Sequence, residues 1–361
     1  MHKQSIPFYQ PNTNKCLVNL SCSILKYFNV PFTHPTIPKV DEYLHQSNSQ
    51  KIVLLLFDGL GKSIVEKHLN KETSFLRQHQ LIQMDSVFPP TTVAATTALL
   101  SGKFPIETGW LGWIQYFKSH NAIYPMFNSA ISEQEAKYEN ILSLIRAYNN
   151  DVYIDSFWPA FKEHNNYSTI QQWLNAIGNQ LDMNKKCFIY GYWDQPDFMI
   201  HKEGTCSKNV NVFVNEIDCY LKEFCLKYYD TTFLVIADHS LIDMKYIILS
   251  QYQDVINLLE RPISIEERTI VFHIKNNKHN EFVTLFNKYF SDKFVLLSKE
   301  EVLKKEIFGK GTMHPICEDA IGDYIAISIG EYSMRYKGNP FMVAGHAGGT
   351  EEEFQLYLFA I

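Results

Sequence analysis

The chain has 361 residues, of which 46% are hydrophobic, 14% aromatic and 20% charged. This composition excludes an intrinsically disordered chain, and the length suits either roughly two to three domain-sized units or one large α/β unit with insertions. Lys+Arg 33 against Asp+Glu 39 leaves a net charge of −6, a poor balance for non-specific nucleic-acid binding, and no apolar run reaches the ~18–20 residues of a membrane span.

The N-terminal MHKQSIPFYQPN shows no basic region followed by an apolar one, so no signal peptide is read there. The seven cysteines, Cys16, Cys22, Cys187, Cys206, Cys219, Cys225 and Cys317, are odd in number and form no CxxC pair. Reduced thiols in a cytoplasmic protein are the expectation. Residues 1–50 read as a lead-in packed on the core. VNLSCSILKYFNV (18–30) has helical apolar spacing, broken by Pro31, Pro35 and Pro38.

KIVLLLF (51–57) is a continuous Val/Ile/Leu run, the pattern of a strand buried on both faces in a mostly parallel sheet. Asp58-Gly59 ends it, and GKSIVEKHL follows with helical spacing. LIQMDSVF (81–88) is strand-like, and TTVAATTALLSG (91–102) reads as a helix of small residues closed by Gly102. CFIYGYW (187–193) and TTFLVIA (231–237) are further strands, separated by an amphipathic helix at 210–229. TIVFHI (269–274), KFVLLS (293–298), DYIAISI (323–329) and FQLYLFAI (354–361) complete the strand candidates. Residues of about 105–150 and 240–320 interrupt the alternation, as insertions that cover a substrate site do. The fold class expected is α/β, a three-layer α/β/α sandwich with a mostly parallel central sheet and cap-like insertions.

Five places set metal-ligand residue types in loops after predicted strands or at a helix start: Asp58, Thr92, Asp197 with His201, Asp238 with His239, and His346. Ligands of α/β sheets gather at the carboxyl ends of strands. Three Asp and three His suit two closely spaced divalent ions, because zinc accepts imidazole nitrogen and carboxylate oxygen and such mixed sites keep positions open for substrate. Taken singly, each has a plain structural reading: an Asp in a turn, Thr91-Thr92 as a helix N-cap, a His in a glycine-rich loop. The ordered set carries the argument.

That set resembles the alkaline phosphatase superfamily, in the branch of type I phosphodiesterases and nucleotide pyrophosphatases. The resemblance covers about 51–110, 187–204, 231–240 and 341–353, and leaves both insertions unmatched. Asp58-Gly59 fits the family's first D-G motif. Ser101-Gly102 sets the register that selects Thr92 over Thr91. Pro196, Asp197, His201 and Gly204 follow the P-D-x-x-G-H-x-x-G pattern, with Ile200 in place of the inner glycine. Asp238, His239, Ser240 and Leu241 stand where the family has D-H-G-M, and His346 lies in GHAGGT.

The resemblance implies a hydrolase of phosphodiester or pyrophosphate bonds with Thr92 as nucleophile and a phospho-threonine intermediate. It implies one metal on Asp197, His201 and His346, and the other on Asp58, Asp238 and His239 with Thr92 beside it. Two zinc ions are expected, with manganese or iron as alternatives. The sulfatase C/S-x-P-x-R motif is missing around Thr92, and no Arg closely follows it as in monoesterases that use Ser. Monoester or phosphonate hydrolysis stays as the alternative, and a non-catalytic metal-dependent phosphate-ester binder as a remote one. The partner expected is a small phosphate ester, nucleotides among the candidates, with no stable nucleic-acid complex; oligomeric state is open. Trp110 and Trp113, with Tyr116 and Phe117, are candidates to stack on a base or aryl group or else pack the insertion, and His314 is a further candidate.

Overall fold

The apolar run at residues 51–57 is strand β1 (Lys51–Phe57), in which every residue after Lys51 is buried. It lies parallel between β6 (Cys187–Trp193), buried throughout, and β7 (Thr231–Ile236); Leu54 pairs with Tyr190 on one side and Leu234 on the other. Strands are numbered in chain order. β5 (Tyr153–Phe157) continues the parallel set beyond β6. At the opposite edge β16 (Gln355–Ala360) runs antiparallel to both β7 and β2 (Gln80–Asp85), giving the order β2-β16-β7-β1-β6-β5. The computed structural model describes residues 7–159, 167–339 and 342–361. The first six residues of the lead-in and residue 341, where the last resembling segment begins, lie outside the described residues.

Central strands without a polar face require cover on both sides, and helices supply it, so the molecule is an α/β sandwich with a mostly parallel sheet. The helix Lys208–Lys227 buries Val210, Val214, Ile217 and Leu221, the stripe its spacing predicts. The helix Thr92–Ser101 buries all ten of its residues. It packs on the lead-in helix Leu17–Tyr27, whose Ser21 hydroxyl donates to the Leu99 carbonyl. Gly102 closes it in the left-handed conformation, as the sequence implied.

The two interruptions of the strand–helix pattern meet in one second sheet. Its strands are β3 (Ile114–Phe117), β4 (Ala122–Pro125), β10 (Ser264–Ile265), β11 (Thr269–Phe272), β12 (Phe294–Ser298) and β13 (Tyr324–Ser328). The order is β12-β13-β11-β10-β3-β4 and every pairing is antiparallel. β13 lies beyond residue 320, so this sheet reaches further along the chain than the insertion read from the sequence. Two small ladders complete the strands: β8 (Ile242–Asp243) with β15 (Ala344–Gly345), and β9 (Lys245–Ile248) with β14 (Tyr332–Arg335). Among the described residues no helix is long and apolar enough to cross a membrane.

Candidate metal centre

The carboxyl ends of β1, β6 and β7 converge on one cluster. Asp58 is the first residue past β1, and its amide is held by the Trp193 carbonyl at the end of β6. Its carboxylate is 3% exposed and accepts from the Tyr192 hydroxyl. Asp238 is the second residue past β7; its Oδ1 accepts from the amides of Gly59 at 3.1 Å and His239 at 3.0 Å. Gly59 has φ +73, and a Cβ there would lie 2.9 Å from the Asp197 Cβ, so glycine lets the two carboxylate loops close on each other.

Thr92 begins the helix Thr92–Ser101, and its Oγ1 lies 3.3 Å and 3.4 Å from the two Asp58 oxygens and 3.1 Å from His239 Nε2. Thr91 holds the N-cap position with extended backbone, yet its side chain makes no capping bond to its own helix. Its hydroxyl donates instead to Glu266 Oε1, 2.7 Å away.

Asp197 opens the short helix Asp197–Glu203, and His201 stands one turn on, its Nε2 3.1 Å from Asp197 Oδ2. His201 Nδ1 is 2.8 Å from the Ala344 carbonyl. A carbonyl only accepts, so Nδ1 carries a proton and Nε2 is the nitrogen turned to Asp197 and the cluster, the one that binds a metal once its own proton is displaced. His346, just past β15, brings its Nε2 to 4.0 Å from Asp197 Oδ1 and stacks its ring on His239.

Its loop is anchored from below by a buried pair. Arg268 binds Glu353 through Nε and Nη2, and Glu353 in turn accepts from the Gly348 amide and the Thr350 hydroxyl. The Thr269 hydroxyl donates to the Ala347 carbonyl.

Two groups of ligand atoms each fit within 4.8 Å: Asp58, Asp238 and His239, and Asp197, His239 and His346. His239 therefore stands between both groups, and His201 joins the second through Asp197. Asp197 Oδ1 and Asp238 Oδ2 are buried without a hydrogen bond. Orphaned lone pairs crowded in one place are costly unless a cation satisfies them. Burial, then the neighbouring Asp238 and Asp197, hold the Asp58 carboxyl well above the usual range, and burial also raises Asp238. Burial alone would lower His201, but the Asp197 carboxylate lifts it to about 9. His346 is pushed well below its ordinary value by burial and then by His239 and His201. Crowded carboxylates that ionise readily only beside a compensating cation, together with a neutral imidazole, form a donor set that divalent cations fit.

The aromatic and histidine candidates lie elsewhere. Trp110 is 7% exposed, packs against Phe127 and Tyr138, and donates its Nε1–H to the Ala136 carbonyl. Tyr116 and Phe117 are buried in β3. Trp113 is 49% exposed against Phe127, and its amide donates to Glu266. His314 donates its backbone amide to the Ile106 carbonyl, packs over Gly109, and takes the Ile316 amide on Nδ1. Sequence reasoning passed over Tyr192 and Glu266. Tyr192 lies in an apolar aromatic run without a polar signal of its own. Glu266 lies in the stretch that matched no motif; it is half-buried, and burial pushes its carboxyl up to about 7.

A model of the type I phosphodiesterase / nucleotide pyrophosphatase family matches residues 114–349. That span holds Asp197, His201, Asp238, His239 and His346, and begins after Asp58 and Thr92. No curated protein matches the sequence. Among solved structures, murine ectonucleotide pyrophosphatase / phosphodiesterase 5 superposes with a TM-score of 0.68 at 15% identity, covering 86% of this chain and 87% of that one. The human protein of the same name gives the same figures for TM-score and identity. An inactive form of the murine protein in complex with AMP gives a TM-score of 0.67 at 15% identity. These likenesses show a shared fold.

Proposed function

That the chain belongs to the type I phosphodiesterase / nucleotide pyrophosphatase family is the premise from which we propose a two-metal hydrolase of phosphodiester or pyrophosphate bonds with Thr92 as its nucleophile. The observation that carries this reading is the Thr92 hydroxyl, 3.1 Å from His239 and 3.3 Å from Asp58 at the start of a buried helix. Asp58, Asp238 and His239 would hold one divalent cation, and Asp197, His201 and His346 the other. Bound there, such ions polarise phosphoryl oxygens and lower the pKa of a neighbouring hydroxyl. Zinc suits these N/O donors best, with manganese or iron as alternatives.

Thr92 Oγ bonds to phosphorus in line with the departing ester oxygen, giving phospho-threonine, and water then cleaves that ester and restores the hydroxyl. The first-turn amides of the helix Thr92–Ser101 supply positive potential for a phosphoryl oxygen. Tyr192 fixes Asp58 by donating to Oδ2.

Diesters are favoured over monoesters by charge. Arg268, whose charge is felt at His346, directs its guanidinium to Glu353 and to the carbonyls of Gly330 and Tyr332. It therefore offers nothing to a second phosphate charge, and Glu266 adds an acid close to Thr91. A nucleotide substrate is compatible with the AMP bound by the murine relative. The seven free thiols support a reducing, cytoplasmic location.

The test is hydrolysis by protein loaded with zinc, comparing bis-p-nitrophenyl phosphate, a nucleoside p-nitrophenyl ester, p-nitrophenyl phosphate and p-nitrophenyl phenylphosphonate. Diester turnover that exceeds the others and disappears in Thr92→Ala and on chelation is the expected result. Faster monoester or phosphonate turnover overturns the substrate assignment. Turnover surviving Thr92→Ala overturns the nucleophile.

A further inference from the structure

We propose that Glu266 is a positioning residue for Thr92, acting through the Thr91 hydroxyl as a clamp between the second sheet and the start of the helix Thr92–Ser101. The proposal rests on the reading of Thr92 as nucleophile. Glu266 Oε1 accepts two bonds at once, from Thr91 Oγ1 at 2.7 Å and from the Trp113 amide at 2.8 Å. One oxygen thereby joins the residue before Thr92 to the chain entering β3, from a turn that neither segment belongs to.

Three features bear on how this turn reaches Thr91. Ile265, the residue before Glu266, has φ +77, a conformation that β-branched side chains rarely adopt. Backbone of this kind persists only where the surroundings impose it, and here it aims Glu266 away from β10 toward Thr91. Gly112 has no side chain where one would collide: a Cβ there would lie 2.7 Å from Ile265 Cγ2, 3.0 Å from the Ile265 carbonyl and 3.1 Å from Glu266 Cγ. Thr91 occupies the N-cap without capping, its hydroxyl committed to the turn after β10. A threonine at that position ordinarily serves its own helix.

The same turn reaches the opposite side of the cluster. Two and three residues beyond Glu266, Arg268 and Thr269 hold Glu353 and the Ala347 carbonyl of the His346 loop. The Ala347 amide also donates to the Pro90 carbonyl, one residue before Thr91. Residues 266–269 therefore span the cluster, Glu266 setting the Thr92 side and Arg268 with Thr269 the His346 side. A displacement near 1 Å in a reacting group lowers rates by about 100-fold, so a clamp on the residue next to Thr92 is a catalytic requirement and not only a packing contact.

The experiment uses the full chain and the variants Glu266→Gln, Glu266→Ala, Thr91→Val and the Thr91→Val/Glu266→Ala double variant. kcat and KM for bis-p-nitrophenyl phosphate are measured at saturating zinc. Amide hydrogen exchange of residues 91–96 is measured in the metal-free protein, so the clamp is also read without turnover.

Glu266→Ala and Thr91→Val are each expected to lower kcat about 10- to 100-fold with KM within about threefold, and to speed exchange at 91–96. The double variant is expected to be no slower than either single one, because both remove the same bond. Glu266→Gln keeps an oxygen for both donors and is expected to stay within about threefold of the parent. An unchanged kcat in Glu266→Ala, losses that multiply in the double variant, or a Gln variant as impaired as Ala overturns the clamp. If Glu266→Ala fails to fold, Thr91→Val and Glu266→Gln decide alone. A parent that cleaves no diester sinks the diesterase reading, while the exchange data still decide the clamp.

Discussion

The imidazole rings of His239 and His346 lie face to face, their centroids 3.8 Å apart and their planes 28° apart. Two cations cannot share that spacing in a buried site, and His346 is held well below its ordinary pKa by burial and by this neighbour. His346 is thereby kept neutral at physiological pH, the state in which imidazole binds a metal. The stack also places His239 between the two groups of ligand atoms, and that position makes the ligand sets separable by mutation.

Metal content tests this arrangement directly. Protein loaded with excess zinc and then dialysed free of unbound metal is expected to hold two equivalents. Asp58→Asn is expected to retain about one, through the Asp197 group, and Asp197→Asn about one, through the Asp58 group. His239→Ala is expected to weaken both, because His239 belongs to both groups. Elemental analysis with isothermal titration reads the outcome; a His239→Ala protein that loses a single equivalent and holds the other at parental affinity contradicts the shared position.

Removal of the Thr92 hydroxyl separates chemistry from binding. Thr92→Ala is expected to lose at least about a thousandfold in kcat for diesters while keeping both metals. Thr92→Ser, which keeps the oxygen at the helix start, is expected to retain measurable turnover. Intact-mass analysis of quenched reactions should find a phosphoryl adduct on the parent and none on Thr92→Ala.

The metal-free protein should lose stability as pH rises. His201 has a folded-state pKa of about 9 against 6.5 for the free side chain, lifted against burial by Asp197. A raised pKa contributes stability that is complete below about pH 6.5 and disappears as pH climbs through about 9, at most about 3 kcal/mol here. Asp58 and Asp238, raised by burial, act in the same direction, since ionising them opposes folding. Thermal melts of chelated protein are expected to fall in Tm between pH 6.5 and 9, and His201→Gln to flatten that slope. A Tm that rises over this range contradicts the assignment.

The buried Arg268–Glu353 pair, 1% and 0% exposed, should behave as a bond that cannot be halved. Glu353→Gln leaves Arg268 with an uncompensated charge and is expected to cost about 3–5 kcal/mol, read by denaturant unfolding. It also slackens the Gly348 and Thr350 contacts below His346, so zinc affinity is expected to fall more than in a surface variant of equal stability.

The candidate site was legible wherever its signals are local. Asp58 and Asp238 lie within two residues of the ends of doubly buried strands, Asp197 and His201 sit one helical turn apart, and Ser101-Gly102 marks where the helix begun by Thr92 ends. Each of these can be read within a dozen residues. The central strands were legible for the same reason, because burial on both faces writes itself as an unbroken apolar run. What could not be read depends on distance along the chain. Glu266 and Thr91 are 175 residues apart and Arg268 and Glu353 are 85 apart. β10 has two residues, too few to show any period. Trp113 reads from the sequence as a stacking group or as packing of the insertion, yet it is its backbone amide that meets the neighbourhood of Thr92, a role open to any residue but proline.

The second sheet has a bearing on how this chain tolerates rearrangement. β10 is bordered by β11 on one side and β3 on the other, so a two-residue ribbon splices segments drawn from separate stretches of the polypeptide. Excising either stretch would not yield a trimmed, simpler enzyme. It would bare a raw strand edge whose backbone groups can recruit a neighbouring molecule, favouring aggregation. The two stretches are therefore interdependent, and a lineage or an engineer can reshape them together but cannot shed one alone.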